Sequence, residues 1–335
     1  MRAAVLFQPR AIESNPLSLT EVELPQPEAN QVRIRIRACG VCHTDLHIAE
    51  GQVPAARLPI IPGHQIVGRV EALGTGATRF SVGERVGVPW LNWIDPDCRD
   101  YGTDRENLCE NIRFTGKDVD GGFAEFITVD ESFVHTLPPA GLFSDVQVAP
   151  LLCAGVIGYR ALRLSGIESG RRIALFGFGA SAHIVLQIVR HWKKEAYVMT
   201  RNPVHQRRAR ELGADWVGQS DENPPHKFDS AIIFAPVGDL IVRALDNLER
   251  GGTVVHAGIC ATAIPEFPYD LMYQERVIRS AANSTRADVT ALLGIAAEIP
   301  IQTDVTVYPL QEVNRALQDV KHSRVPGAAV LAVGE

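Results

Sequence analysis

The sequence predicts an α/β protein in two parts: a β-rich domain full of turns, and a doubly wound domain built on a parallel sheet. Three observations predict this. Residues 1 to about 150 hold short strand-like runs and little helical periodicity. From about 150 onward, strands alternate with helices, the pattern of stacked βαβ units. Within that second part, "ALFGFGASAH" (174–183) sets glycines where a buried strand turns into a helix.

The elements follow in order. "MRAAVLFQPRAIESN" has a short apolar stretch that soon turns polar, which reads as a first strand and not as an export signal. "QVRIRIRACG" (31–40) alternates apolar and charged residues with period two, as a half-exposed strand does. "VGRVEALGTG" (67–76) and "VGERVGVPW" (82–90) are short strands broken by glycines. "RRIALFGFG" (171–179) is a buried strand, and "SAHIVLQIVRHW" (181–192) continues with helical spacing. "AYVMT" (196–200) is the next strand. Asn202 then supplies an N-cap and Pro203 a first helical position for "VHQRRARELG", which Gly213 closes. "SAIIFAP", "TVVHAG" and "VIRSAA" are three further buried strands, with a helix "LIVRALDNLER" (240–250) before the second. The chain finishes with a helix "LQEVNRALQDVKH" (310–322) and a strand "GAAVLAV" (327–333).

The bulk numbers bound the function. A chain of 335 residues, 46% hydrophobic and 21% charged, is an ordinary globular protein with room for two domains. A net charge of -6 argues against nucleic acid as a partner, and no apolar run is long enough to span a bilayer. Six scattered cysteines and the lack of an export signal point to a reducing cytosol, with cysteines used as ligands or core.

Two motifs carry chemistry. "CGVCHTDLH" (39–47) packs two cysteines and two histidines into nine positions. By itself, Cys39-x-x-Cys42 is a metal clip, a redox pair, or one working cysteine beside a bystander. The second motif places Gly177, Gly179 and Ala182 in the pattern G-x-G-x-x-A. Gly177 allows the tight turn, Gly179 admits a pyrophosphate to the backbone, and Ala182 permits close helix–strand packing. Ala180 and Ser181 complete the first helical turn facing the anion. At the tip of the second strand, "VMTRNP" offers Thr200 and Arg201 and no acid, which tilts cofactor choice toward NADP(H); the alternative is that Arg201 stacks on the adenine or faces solvent.

The motifs "GVCHTDLH", "PGHQIVGRV" (62–70), "VGVPWL" (86–91), "ENLC" (106–109), "DGGFAEF" (120–126), "LLCAG" (151–155), the dinucleotide turn and "NSTRAD" (283–288) agree in order and spacing with one family. The chain resembles the zinc-dependent medium-chain alcohol dehydrogenases, nearly end to end. The resemblance implies a GroES-like catalytic domain (1–150 and 287–335) with a Rossmann domain (151–286) inserted. It picks Cys42, His64 and Cys153 as ligands of one catalytic zinc and leaves Cys39 on its strand. Three protein ligands and an open fourth position suit catalytic zinc. It further implies that the Thr44 hydroxyl contacts the substrate oxygen, that His47 passes the proton to solvent, and that Asp45 orients His64. His43 and Arg286 match positions that touch the cofactor pyrophosphate. Trp90 matches a pocket wall, with Leu91 beside it. Gln65 departs from the family, which usually carries glutamate there; the side chain keeps its size and loses its charge. Many members hold a second, structural zinc on four cysteines. Here the corresponding positions are Asp95, Cys98, Tyr101 and Cys109, so the lobe is expected to be zinc-free, held by packing of Trp93 and Tyr101 and hydrogen bonds from Asp95, Asp97 and Arg99, with a Cys98–Cys109 disulfide disfavoured in a reducing cytosol.

The implied function is hydride transfer between a small primary alcohol or aldehyde and NAD(P)(H), in a cytoplasmic homo-oligomer, dimer or tetramer. Two alternatives stand beside it. A quinone or enoyl reductase-like protein would lack the zinc ligands, and a nucleotide-binding protein without catalysis would have no need of Thr44 and His47.

Overall fold

The computed structural model describes residues 1–259 and 261–334, so Cys260 lies outside the described residues. The chain divides into two compact units, Met1–Cys153 with Thr285–Glu335, and Ala154–Ser284. The division falls at 153/154 and 284/285, not after 150 and 286. That shift keeps Cys153 in the same unit as Cys42 and His64.

The first unit is built on a seven-stranded sheet among the described residues. Its path runs Val305–Pro309, Ala328–Ala332, Gln31–Val41, Gln65–Leu73, Arg85–Val88, His135–Thr136, with Phe126–Asp130 added to Gln31–Val41. The alternation of "QVRIRIRACG" explains the long central strand: Val32, Ile34 and Ile36 are buried, and the arginines between them point the other way. Gln31–Val41 pairs antiparallel with Gln65–Leu73, with Gly40 opposite Gln65. The Gln65 side chain lies across that glycine. A Cβ at Gly40 would sit 2.5 Å from its Oε1. Helical pattern is scarce in this part of the sequence, yet a helix His43–Ala49 follows the central strand directly, and a second, Arg286–Glu298, starts the return segment. The first is short, and the second buries one face but exposes alanines and a glycine on the other, so neither leaves a clean apolar–polar period.

The second unit carries a six-stranded parallel sheet among its described residues. The order is Trp216–Gly218, Glu195–Met199, Arg172–Phe176, Phe228–Ile233, Leu248–His256, Val277–Ser280. This is doubly wound, with the strand order reversing beside Arg172–Phe176. Helix Ala180–His191 follows that strand, and helix Ala154–Ser165, which the sequence pattern leaves unassigned, packs against it. Gly158 makes the approach close, since a Cβ there would be 2.6 Å from Val185. Asn202 caps Pro203–Glu211 by accepting from the Val204 amide. The helix expected over 240–250 ends at Asp246, because Leu248 already pairs with Phe228 as strand.

Among the described residues, no single helix is long and apolar enough to cross a membrane.

Candidate functional site

Three ligand atoms converge where the central strands of the first unit end. Cys42 caps helix His43–Ala49, His64 immediately precedes strand Gln65–Leu73, and Cys153 follows the 3-10 turn Ala149–Leu152. The strand pairing of Gly40 with Gln65 brings the first two together across the ladder. The Cys42 and Cys153 sulfurs and the His64 ring nitrogen all lie within 4.8 Å of one another, and Cys42 Sγ is 3.4 Å from His64 Nε2. Two sulfurs and one imidazole nitrogen are a donor set that fits zinc.

Asp45 sits behind this cluster with no exposed surface. Its Oδ2 accepts from the Cys42 amide at 3.0 Å, and its Oδ1 accepts from the Gly63 amide at 3.1 Å and from His64 Nδ1 at 2.9 Å. Nδ1 donates to that carboxylate, and Nε2 is the ring nitrogen that faces the sulfurs. Burial raises the Asp45 carboxyl above the usual range. For His64, burial alone would lower the pKa, but Asp45 and Cys42 outweigh it and hold it well above 6.5. The Cys42 thiol is pulled well below the usual thiol range, first by the Cys153 sulfur beside it and then by His64. Cys153 is pushed up by the same contact. Cys39 is fully buried, and desolvation keeps it a thiol. Its sulfur sits under Gly122, away from the ligand atoms.

The helix that carries Asp45 also places Thr44, buried at 6%, and His47, half-buried with Nδ1 paired to Gln52 Oε1. His43 is exposed on the same helix, its ring 6.4 Å from that of His47. Gln65 is buried against Gly40, next to the ligand His64 in the chain. Trp90 stacks on Phe114 at 4.3 Å and lies 5.8 Å from the His64 ring. Leu91, the first residue of strand Leu91–Ile94, is 1% exposed and packs into the core of the unit.

In the second unit, Gly177 takes φ +87°, a left-handed conformation that glycine allows and other residues avoid. Gly179 caps helix Ala180–His191, and a Cβ there would meet nothing within 4 Å, so the backbone is open to a ligand. Ala180 and Ser181 form the half-buried first turn, and Ala182 is fully buried against the sheet. Thr200 is buried at 8%, its carbonyl accepting from Gln206, while Arg201 is exposed.

Two sequence expectations meet different surroundings. Arg286, expected to face an anion, has its guanidinium on Glu106, with Nη2 2.7 Å from Oε2 and Nε 3.2 Å from both oxygens. The lobe expected to be held without a covalent link carries a Cys98–Cys109 disulfide. Each sulfur is taken up by the other, so neither serves as a thiolate ligand. The expected contacts around it hold in part: Asp95 accepts from Asn111 and from the Asp97 amide, Arg99 reaches Asp100, and Tyr101 lies against Arg286. Trp93 packs against the hydrophobic core and is covered by the Arg113 guanidinium, at 4.8 Å. Sequence reasoning missed Glu106, Gln52 and Gly63 as partners. "ENLC" contains the first of these, but nothing local shows what a lobe carboxylate meets 180 residues on.

Residues 28–139 match the alcohol dehydrogenase GroES-like domain family. The chain is 42% identical over 339 residues to "Probable alcohol dehydrogenase AdhA" of Mycobacterium tuberculosis (strain CDC 1551 / Oshkosh), covering 99% of this chain and 97% of that one. The chain belongs to the zinc-dependent medium-chain alcohol dehydrogenase family. An alcohol dehydrogenase of Geobacillus stearothermophilus is 34% identical over 99% of this chain and all (100%) of its own length. A cobalt- and zinc-bound thermostable alcohol dehydrogenase from Pyrobaculum aerophilum superposes with a TM-score of 0.89 at 26% identity, covering 99% of each chain. In this dehydrogenase, Cys42, His64 and Cys153 form the one group of three or more metal-ligating side chains among the described residues.

Proposed function

We infer that this alcohol dehydrogenase moves a hydride between a small primary alcohol or aldehyde and a nicotinamide dinucleotide, with one zinc on Cys42, His64 and Cys153. The observation that carries this reading is the convergence of two sulfurs and an Asp45-oriented imidazole within 4.8 Å. Zinc, when bound, supplies a Lewis acid that polarises the alcohol oxygen and lowers its pKa. The chain's own groups do the rest. The Thr44 hydroxyl receives the substrate proton, and His47, with Nδ1 held by Gln52, hands it to solvent through its other nitrogen. Trp90 forms an apolar wall suited to uncharged substrates. Gln65 holds its place beside His64 without the negative charge of a glutamate.

The turn Gly177–Gly179 with Ala180, Ser181 and Ala182 takes the pyrophosphate on its open helix N-terminus. His43 and Arg286 are further proposed donors to a phosphate group. Thr200 and Arg201 leave room for a 2′-phosphate, so both NADH and NADPH are used. A cytosolic homo-oligomer, dimer or tetramer, is part of the proposal. The free Cys42 and Cys153 support a reducing compartment, and the Cys98–Cys109 pair is the feature that runs against it.

The test follows NAD(P)H absorbance with a panel of short aldehydes, in zinc-loaded protein and in Cys42→Ser. Turnover by the first and none by the second is expected. Equal turnover in both would refute the zinc-dependent reading and favour a zinc-free reductase.

A further inference from the structure

The Cys98–Cys109 disulfide closes a loop in which two side chains contact the same residue. Within this loop, Glu106 is 2% exposed and Tyr101 is 38% exposed. Glu106 accepts from Arg286 at Nε and Nη2, and also from the Arg286 backbone amide at 2.7 Å. Arg286 is the first residue of helix Arg286–Glu298, so the carboxylate also answers an unpaired amide at a helix N-terminus. The Tyr101 ring lies 4.8 Å from the guanidinium carbon and Phe133 lies 4.9 Å from it. Arg286 is thus set by one carboxylate and two rings, and two of these three groups belong to the disulfide loop. The helix has its own cap, since Thr285 and Asp288 form a capping box. Glu106 therefore governs the arginine more than the existence of the helix.

The loop is also reachable. Cys98 is half-buried, and Pro96, Asp97, Arg99 and every residue from Tyr101 to Arg105 are exposed. Short turns and the Glu106 contacts also tie the segment, with Gly102 donating to Glu106 Oε2 at 3.2 Å, and Cys98 and Cys109 pack on the hydrophobic core.

We propose that the Cys98–Cys109 disulfide is a thiol-exchangeable latch that holds Glu106 and Tyr101 on Arg286, so that opening it weakens binding of the nicotinamide nucleotide. This rests on the reading of Arg286 as a donor to the pyrophosphate. The opening reaction is exchange with a dithiol. One thiolate of the dithiol attacks the sulfur of half-buried Cys98 and the Cys109 thiolate leaves. The second thiolate of the dithiol then displaces Cys98. The dithiol is oxidised to its disulfide, and its two protons end on Cys98 and Cys109. Once open, the loop regains conformations that the cross-link excludes, and Glu106 holds the arginine for a smaller fraction of time.

The experiment compares zinc-loaded protein purified without reductant with the same protein reduced by dithiothreitol and freed of it. NADH and NADPH dissociation constants are read by nucleotide fluorescence, and zinc content is checked in both. Reduction is expected to weaken nucleotide binding about three- to tenfold, the loss of one charge-assisted contact, with kcat changed less than about twofold. Limited proteolysis within 99–108 should accelerate on reduction. The double variant Cys98→Ser/Cys109→Ser should match the reduced protein and ignore dithiothreitol; if it fails to fold, the reduced and reoxidised wild type give the same comparison. Glu106→Gln should bind nucleotide weakly in both redox states and lose the difference between them. Equal dissociation constants in the two states, or free thiols at Cys98 and Cys109 before reduction, overturn the latch. No nucleotide binding in either state refutes the dehydrogenase reading and the latch with it, and is told apart because proteolysis would still respond to reduction.

Discussion

A carboxylate with no exposed surface stands behind the metal ligands, and its three donors explain why it is there. Asp45 joins the start of helix His43–Ala49, the Gly63 turn and the His64 ring through one side chain. Asp45→Asn keeps the shape but places an amide NH2 where acceptors are needed, and zinc affinity should fall about 10- to 100-fold, read by competition with a chelator. The two cysteines of the same motif separate cleanly. Cys42→Ser should abolish activity and zinc binding, whereas Cys39→Ser should keep most of both, because Cys39 is a core thiol. Equal zinc loss in the two proteins would overturn that division. His135 makes a different prediction. It is buried, with burial as the main cause of a pKa lowered from 6.5 to about 3, assisted by Arg79 and Arg286. The unfolded chain binds a proton there below pH 6.5 and the folded one does not until about 3, so stability falls as the pH falls through that window. The slope due to this residue is at most about 1.4 kcal/mol per pH unit. Denaturant melts of wild type and His135→Gln between pH 7 and 4 should converge as the pH drops; parallel curves would show that His135 does not titrate this way.

Among the elements, helix Ala180–His191 and the strand Glu195–Met199 are the two proposed to meet the cofactor. The helix offers an open N-terminus, and the strand ends at a tip without an acid. Wild type should therefore turn over NADPH within about tenfold of the NADH rate, and Arg201→Asp should shift preference toward NADH by repelling the 2′-phosphate. A wild type inert to NADPH would show that Thr200 and Arg201 do not admit it. Element types were readable wherever pattern and punctuation agreed. The alternation of 31–40, the buried run of 171–176 and the Asn202-Pro203 start of a helix all name their structures from local chemistry. Helices Ala154–Ser165 and Arg286–Glu298 were not readable. The first holds glycines at 155 and 158, and Gly158 is tolerated only because a neighbouring helix packs against it.

At the scale of the whole molecule, the metal is the feature most open to measurement. Purified protein should contain about one zinc per chain, and a chelator should lower the melting temperature by about 5 °C or more, since a ligand bound only by the folded state stabilises it. Two zincs per chain, with one lost in Cys98→Ser, would show that the lobe binds metal after all. By itself the sequence determined the α/β class, the doubly wound part, the glycine turn and, through its family motifs, which cysteine of Cys39-x-x-Cys42 is the ligand. Such features are written in neighbouring residues, as period, propensity and spacing. Tertiary structure alone decided the rest: that one carboxylate serves three donors, that Trp90 stacks on Phe114 beside His64, that Arg286 rests on Glu106, and that Cys98 joins Cys109. Those facts depend on strand register and loop closure across long stretches of chain, and neither leaves a trace in any short window of sequence.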